Sequence, residues 1–182
     1  MLVWRRFELA TSPQQTGAHI VLYFLLTSRL DYYNGLLHGL PDCLLNKLQW
    51  VQNACARLIF REQKFCHVMP LIYELHWLPI KYRIEFKILL ITFKILNFLA
   101  PTYLSSLISL RLPSKYNLRN SSDNLLPSYP RFKSKATLDD RSFTCAAPKH
   151  WNALPFDIRS ASTVSIFKAK LKTHLFHHAF LS

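Results

Sequence analysis

Three observations predict a mainly α-helical chain with an irregular, weakly β stretch around residues 111–150. Apolar residues between positions 41 and 98 recur at helical steps. Prolines stand where those runs start and stop. Residues 163–180 close the chain with an apolar residue at every fourth position. Half of the 182 residues are apolar, enough to bury a core in one domain or two small ones.

The elements follow in order. Residues 1–17, MLVWRRFELATSPQQTG, lack a clear period and end in turn-forming residues, so they read as an appended leader with at most a short helix. Arg5 and Arg6 precede an apolar run from Ile20 to Leu26, which superficially resembles a signal peptide. The run is far from the arginines, lacks a small-residue cleavage site before Arg29 and Asp31, and is too short to span a bilayer. It predicts a buried helix over 19–30, broken near Asn34-Gly35. A helix over 41–61 follows from Leu44, Leu48, Val51, Cys55, Leu58 and Ile59, with Pro41 where a first-turn proline is tolerated. Arg61 to Lys64 form a polar connector, and Pro70 opens a short helix over 70–76.

Pro79 starts the next helix, 79–98, where Tyr82, Phe86, Leu89, Leu90, Phe93, Ile95 and Leu96 run on until Pro101 stops the pattern. It is apolar on most sides, which marks it as the buried helix. A short amphipathic stretch, 101–109, completes a helical core over 18–109. From residue 110 the chain turns rich in Ser, Asn, Pro and basic residues, and Leu125-Leu126 and Ser142 to Ala146 read as short strands or extended pieces. Pro127 and Pro130 argue against a central strand. Trp151-Asn152-Ala153-Leu154-Pro155 reads as a structural clasp in which Trp and Leu bury, Asn caps a turn and Pro fixes the exit. Ser162 or Thr163 caps a last helix, 163–180, with Phe167, Leu171, Leu175 and Ala179 on one stripe and Lys168, Lys170 and Lys172 beside it. Residues 110–182 thus form a basic, loop-rich segment ending in an amphipathic helix, either a second domain or part of the first.

Charge and rare residues narrow the function. Lys plus Arg number 23 against 10 Asp plus Glu, a net charge of +13, and such a surface attracts polyanions, RNA or DNA above all. Gly17, Gly35 and Gly39 are the only glycines, so neither a G-x-G-x-x-G nor a Walker loop can be written, which excludes nucleotide-binding enzymes of those kinds. Cys43, Cys55, Cys66 and Cys145 form no C-x-x-C pair and read as reduced residues of an intracellular protein, cytoplasmic or nuclear and not secreted. A membrane partner is not expected.

Six blocks then stand in a recognisable order: SRLDYYNGLLHGLP, LNKLQWVQNACARLIF, LIYELHWLPIKYRIEFKILLITFKILN, APTYLSSLI, RSFTCAAPKHWNALPFDIRSA and FKAKLKTHLF. Over about Ser28 to Phe180 the chain resembles the region C-terminal to the polymerase core of non-LTR (LINE-type) retrotransposon reverse transcriptases. The resemblance implies a tail that helps an RNA-directed DNA polymerase hold element RNA and target DNA, with the palm and thumb as docking partner. Family members usually carry a cysteine where Tyr33 stands, and residues 1–17 match nothing expected upstream. The reading frame is therefore expected to start inside a truncated element copy.

Polymerase chemistry is not expected of this chain. Such an enzyme holds two Mg²⁺ ions with carboxylates, two of them in an aromatic-Ala-Asp-Asp hairpin. The acidic pair Asp139-Asp140 lacks the aromatic residue and a third carboxylate, and reads better as a solvated turn or a helix N-terminus. His174 and His178 have the i, i+4 spacing that can bind zinc, with His177 beside them, but no glutamate accompanies them. Cys145, His150 and Asn152 could be assembled into a hydrolase trio on paper, yet nothing marks a nucleophile turn. No cofactor and no metal are expected.

Binding remains. Lys81, Arg83, Lys87 and Lys94 punctuate the 79–98 helix, the last three close to one line that could follow a phosphate backbone. Arg131, Lys133 and Lys135, interleaved with Tyr129 and Phe132, suit stacking on single-stranded bases with phosphate contact. Lys168 and Lys172 extend the basic set onto the last helix. A solubilising face explains the same letters.

Overall fold

The computed structural model describes Ser28, Tyr32, residues 34–108, Pro127 and residues 142–181. Among these the chain is mainly helical. A 3-10 turn, Asn34–Leu37, leads through Gly39 (φ 69°) to helix α1, Asp42–Phe60. Pro41 takes an extended conformation just outside α1, and its carbonyl accepts the Leu44 and Leu45 amides. Asp42 places a negative charge at the positive end of the helix dipole. Helix α2, Met69–Glu74, carries Pro70 in its first turn, where the missing N–H costs no helical bond. Helix α3, Ile80–Leu96, follows the Trp77-Leu78-Pro79 connector, and α4, Thr102–Ser105, follows Pro101. Then come α5, Phe143–Ala153, α6, Phe156–Arg159, and α7, Val164–Phe180.

Three helices end on a left-handed residue that is not glycine: Arg61 (φ 56°), His76 (φ 53°) and Phe98 (φ 57°). At each, the left-handed residue's amide donates to the carbonyl three residues back, and the next amide reaches five back. Glu62 N–H donates to Arg57 O at 2.9 Å, Trp77 N–H to Ile72 O at 3.0 Å and Leu99 N–H to Lys94 O at 2.8 Å. These are the paired bonds of a Schellman ending, which glycine normally supplies because it has no Cβ to clash. With so few glycines in the chain, ordinary residues take that conformation and its strain.

The described residues belong to two compact units, one reaching to Arg83 and resuming at Leu175, the other running from Ile84 to His174. The division falls inside α3 and α7, whereas composition changes near residue 110. In the first unit Cys55, Ala56 and Ile59 of α1 pack with Val68, Ile72, Leu75 and Trp77, flanked by Phe60, Leu71 and Phe180. The expected α1 stripe is rotated. Leu44, Val51 and Leu58 are exposed, and Gln52 and Ala56 are buried in their stead. Ala56 explains the choice, since a methyl lets α2 approach α1 where a leucine would hold it off.

In the second unit Phe93 of α3 stacks on Phe167 of α7 (ring centroids 4.2 Å apart), and Trp151 of α5 lies 5.7 Å from Phe167. All three are fully buried, each worth about 1.5–3 kcal/mol of transfer free energy. Helix α3 is the buried helix that its composition predicts: no side chain from Tyr82 to Leu96 is exposed. Its hydroxyl at Thr92 is satisfied by the Ile88 carbonyl, 2.9 Å away.

One correction concerns the segment read as loop-rich and weakly β over 111–150. Only Ser142 of the Ser142 to Ala146 piece is extended: Phe143–Ala153 is an α-helix even though Pro148 sits inside it without an amide to donate. Burial of Ala146, Ala147, Pro148 and Trp151 outweighs the lost bond. Residues 156–159 add a helical turn that the sequence did not predict. Of the clasp, Trp151 and Leu154 are buried as expected, whereas Asn152 lies inside α5 and caps no turn, its Nδ2 donating instead to Pro127 O at 3.3 Å. Of the helix expected over 19–30 only Ser28 is among the described residues.

Candidate nucleic-acid interface

Helix α3 carries four of the expected cations, and its burial ranks them. Lys81 is exposed, whereas Arg83, Lys87 and Lys94 are half-buried. Arg83 has an internal task. Its Nε donates to Leu78 O at 3.1 Å, and its guanidinium sits 6.0 Å from the Trp77 ring centre. Leu78 O also accepts Gln52 Nε2 at 2.9 Å. Gln49 Nε2 in turn donates to Gln52 Oε1 (3.0 Å) and Asn53 Oδ1 (2.9 Å), while Gln49 Oε1 accepts the Ile80 amide at 2.9 Å. Two glutamines of α1 thus clamp the connector and cap the first turn of α3. Lys87 and Lys94, seven residues apart on the same helix, are separated by about 10 Å along its axis.

Helix α7 presents its lysines more openly. Thr163 caps it, its Oγ1 accepting the Ile166 amide at 3.3 Å. Phe167, Leu171 and Leu175 are buried, so the stripe expected there faces inward, with Ala179 half-buried behind it. Lys168 and Lys172 are consequently turned outward and exposed. Lys170 is turned elsewhere, with Nζ 3.1 Å from Asp157 Oδ1 and 3.0 Å from Asp157 O. Lys149 on α5 is exposed as well, a cation absent from the expected set because its neighbours read as a strand. Arg131, Lys133 and Lys135, with Tyr129 and Phe132, lie outside the described residues.

The acidic side chains among the described residues are Asp42, Glu62, Glu74, Glu85 and Asp157. Glu85 Oε1 lies 3.2 Å from His150 Nδ1, a contact between residues 65 apart that no sequence spacing announces. That contact and the bond from Asn152 to Pro127 occupy two members of the paper trio with Cys145. Burial raises the Cys55 thiol above its ordinary pKa. At Cys66, desolvation and then the charge and hydrogen bond of Glu62 act in the same direction, with Arg57 opposing them. Among the described residues no three His, Cys, Asp or Glu side chains converge on a point that could hold a metal ion.

No protein-family model matches the chain, and neither the curated proteins nor the solved structures offer a match. Its own residues are therefore what a functional reading has to work with. What they present on α7 is a pair of outward lysines four positions apart, about 6 Å along the axis, on a well-capped helix. No helix among the described residues is long and apolar enough to cross a membrane.

Proposed function

We propose that the chain is a non-catalytic, nucleic-acid-binding piece of a non-LTR retrotransposon reverse transcriptase, which holds RNA or DNA through phosphate contacts rather than by reading bases. The order of its six sequence blocks supports the family, and the net charge of +13 supports the ligand. The observation that carries the reading to particular residues is the outward pair Lys168 and Lys172 on α7, joined by exposed Lys81 on α3. Each is compatible with a phosphate contact without unpacking a core residue. Arg83 contributes less directly, because its Nε is engaged by the Leu78 carbonyl. Arg131, Lys133 and Lys135 belong to the same proposed set.

Fluorescence-anisotropy titration of a labelled single strand, an RNA hairpin and a DNA duplex, each at several salt concentrations, tests this. Micromolar or tighter binding is expected at physiological salt. Changing Lys168 and Lys172 together to Gln should flatten the log–log salt slope by about 1.4 for a single strand or 1.8 for B-DNA. An unchanged slope, or no binding by the folded chain, refutes it. Exposed apolar residues on α1 favour a second reading, a structural or interaction remnant with no activity of its own.

A further inference from the structure

Helix α1 turns an apolar stripe to solvent. Leu44, Val51 and Leu58, spaced seven residues apart, are 41%, 50% and 56% exposed, and Trp50 beside them is 68% exposed. Ala54 is exposed in the same stripe. At 3.6 residues per turn these five residues cover about a third of the helix circumference. They border the Gln52, Cys55, Ala56 and Ile59 face that builds the core, Leu44 and Val51 standing next to Cys55 around the helix, without overlapping it. A seven-residue apolar repeat outside the core is the pattern by which one helix packs along another.

The stripe has a symmetry that selects its occupant. Leu44 and Leu58 stand seven residues on either side of Val51, so the pattern reads the same from both ends. An antiparallel copy centred on Val51 sets Leu44 of one chain against Leu58 of the other and Val51 against its counterpart. It also brings the Lys47 side chain, the cation within the stripe, level with position 55 and beside the small Ala54, where its methylene stem can lie on apolar surface. Charge agrees with this direction. The start of α1 bears Asp42, whereas its end and the connector bear Arg57, Arg61 and Lys64 against the single Glu62, a net positive end, so antiparallel pairing brings acidic and basic ends together. Parallel pairing would instead set Lys47 on Lys47 and each charged end on its like.

We propose that this face of α1 is a self-association surface on which a second copy of the chain packs antiparallel about Val51. One pair of helices of this length buries on the order of 1,000 Å² in all, the lower end of specific interfaces, so the dimer is a weak, transient one. Two chains of charge +13 repel each other, and added salt screens that repulsion. Dimerisation therefore tightens as salt rises, whereas binding to nucleic acid weakens. The two behaviours separate in one titration, and the dimer does not depend on the nucleic-acid reading.

The test is sedimentation of the nuclease-treated full chain from low to high micromolar concentration, at low and high salt. A monomer–dimer equilibrium that tightens with salt is expected. Val51→Glu, at a half-exposed position, should weaken it at least tenfold while leaving the helical circular dichroism unchanged. Under mild oxidation Val51→Cys should give a disulfide-linked dimer. The native Cys43 is about 24 Å from its counterpart in this register and should remain a thiol. A monomer throughout at both salts overturns the proposal, and so does cover of the stripe by another stretch of this chain, which yields that same monomer. Dimers linked through Cys43, dimers indifferent to Val51→Glu, or open-ended aggregation overturn it equally.

Discussion

Leu78 O is a carbonyl with two donors, and removing them singly or together should give very different results. Gln52 is fully buried and reaches this oxygen at 2.9 Å, while Arg83 reaches it at 3.1 Å. Gln52→Met keeps the volume, leaves Arg83 on the oxygen, and leaves Gln49 its bond to Asn53. No group is orphaned, so the cost is that of exchanged hydrogen bonds, about 1 kcal/mol. Arg83→Met likewise leaves Gln52 in place and should cost about 1 kcal/mol, plus any loss of packing on Trp77. The double variant strands a buried carbonyl, adding about 1–3 kcal/mol beyond the sum of the singles. Urea unfolding of the four proteins, followed by far-ultraviolet circular dichroism, measures that coupling as a double-mutant cycle. Additivity within about 0.5 kcal/mol would refute the shared acceptor, since that is the scatter of independent sites.

Other outcomes follow from features already described. Arg61→Gly and Phe98→Gly should each raise stability by up to about 1 kcal/mol, because glycine relieves the left-handed strain at some cost in unfolded-state entropy; lower urea midpoints would contradict the Schellman geometry. Thr163→Ala removes the α7 cap and should cost about 1 kcal/mol, whereas Thr163→Ser should be nearly silent in the same assay. Iodoacetamide should label exposed Cys43 well before buried Cys55 in the native protein, and mass spectrometry that finds the reverse order would overturn the burial of α1. The Cys55 thiol has a folded-state pKa raised above its ordinary 9.0, so the neutral form is the one the fold favours. Its contribution to stability is whole below the unfolded pKa and drains as pH climbs through the alkaline range, which urea midpoints at pH 7 and in mild alkali should show as a fall.

The parts of the fold that the sequence disclosed rest on strong local pattern. The start of α3 after Pro79, its burial on nearly all sides, and the Thr163 cap with its Phe167, Leu171 and Leu175 stripe all follow from residues within a few positions of each other. The α1 helix was legible but its buried face was not. Leu44-Leu48-Val51-Leu58 and Leu48-Gln52-Cys55-Ile59 are both helical spacings, and only the close approach of α2 over Ala56 chooses between them. Helix α5 escaped because Pro148 and a Ser- and Pro-rich approach are strong breaker signals, while the burial of Trp151 that outweighs them is tertiary. Of the binding set, outward Lys81, Lys168 and Lys172 were readable from helical phase. The engagement of Arg83 by Leu78 O and the meeting of Glu85 with His150 depend on neighbours no periodicity reveals.

The first unit takes its earliest described residues from before α1 and its last from the end of α7. Phe180 packs on the core of Cys55, Ile72 and Trp77, and Tyr73 makes an edge contact with it at 5.4 Å. On the ribosome, therefore, this core must wait open for more than a hundred residues of synthesis after its α1 half has emerged. A premature stop between residues 110 and 175 would release a chain whose first half is intact in sequence yet lacks the Phe180 contact on that core, a species suited to chaperone capture.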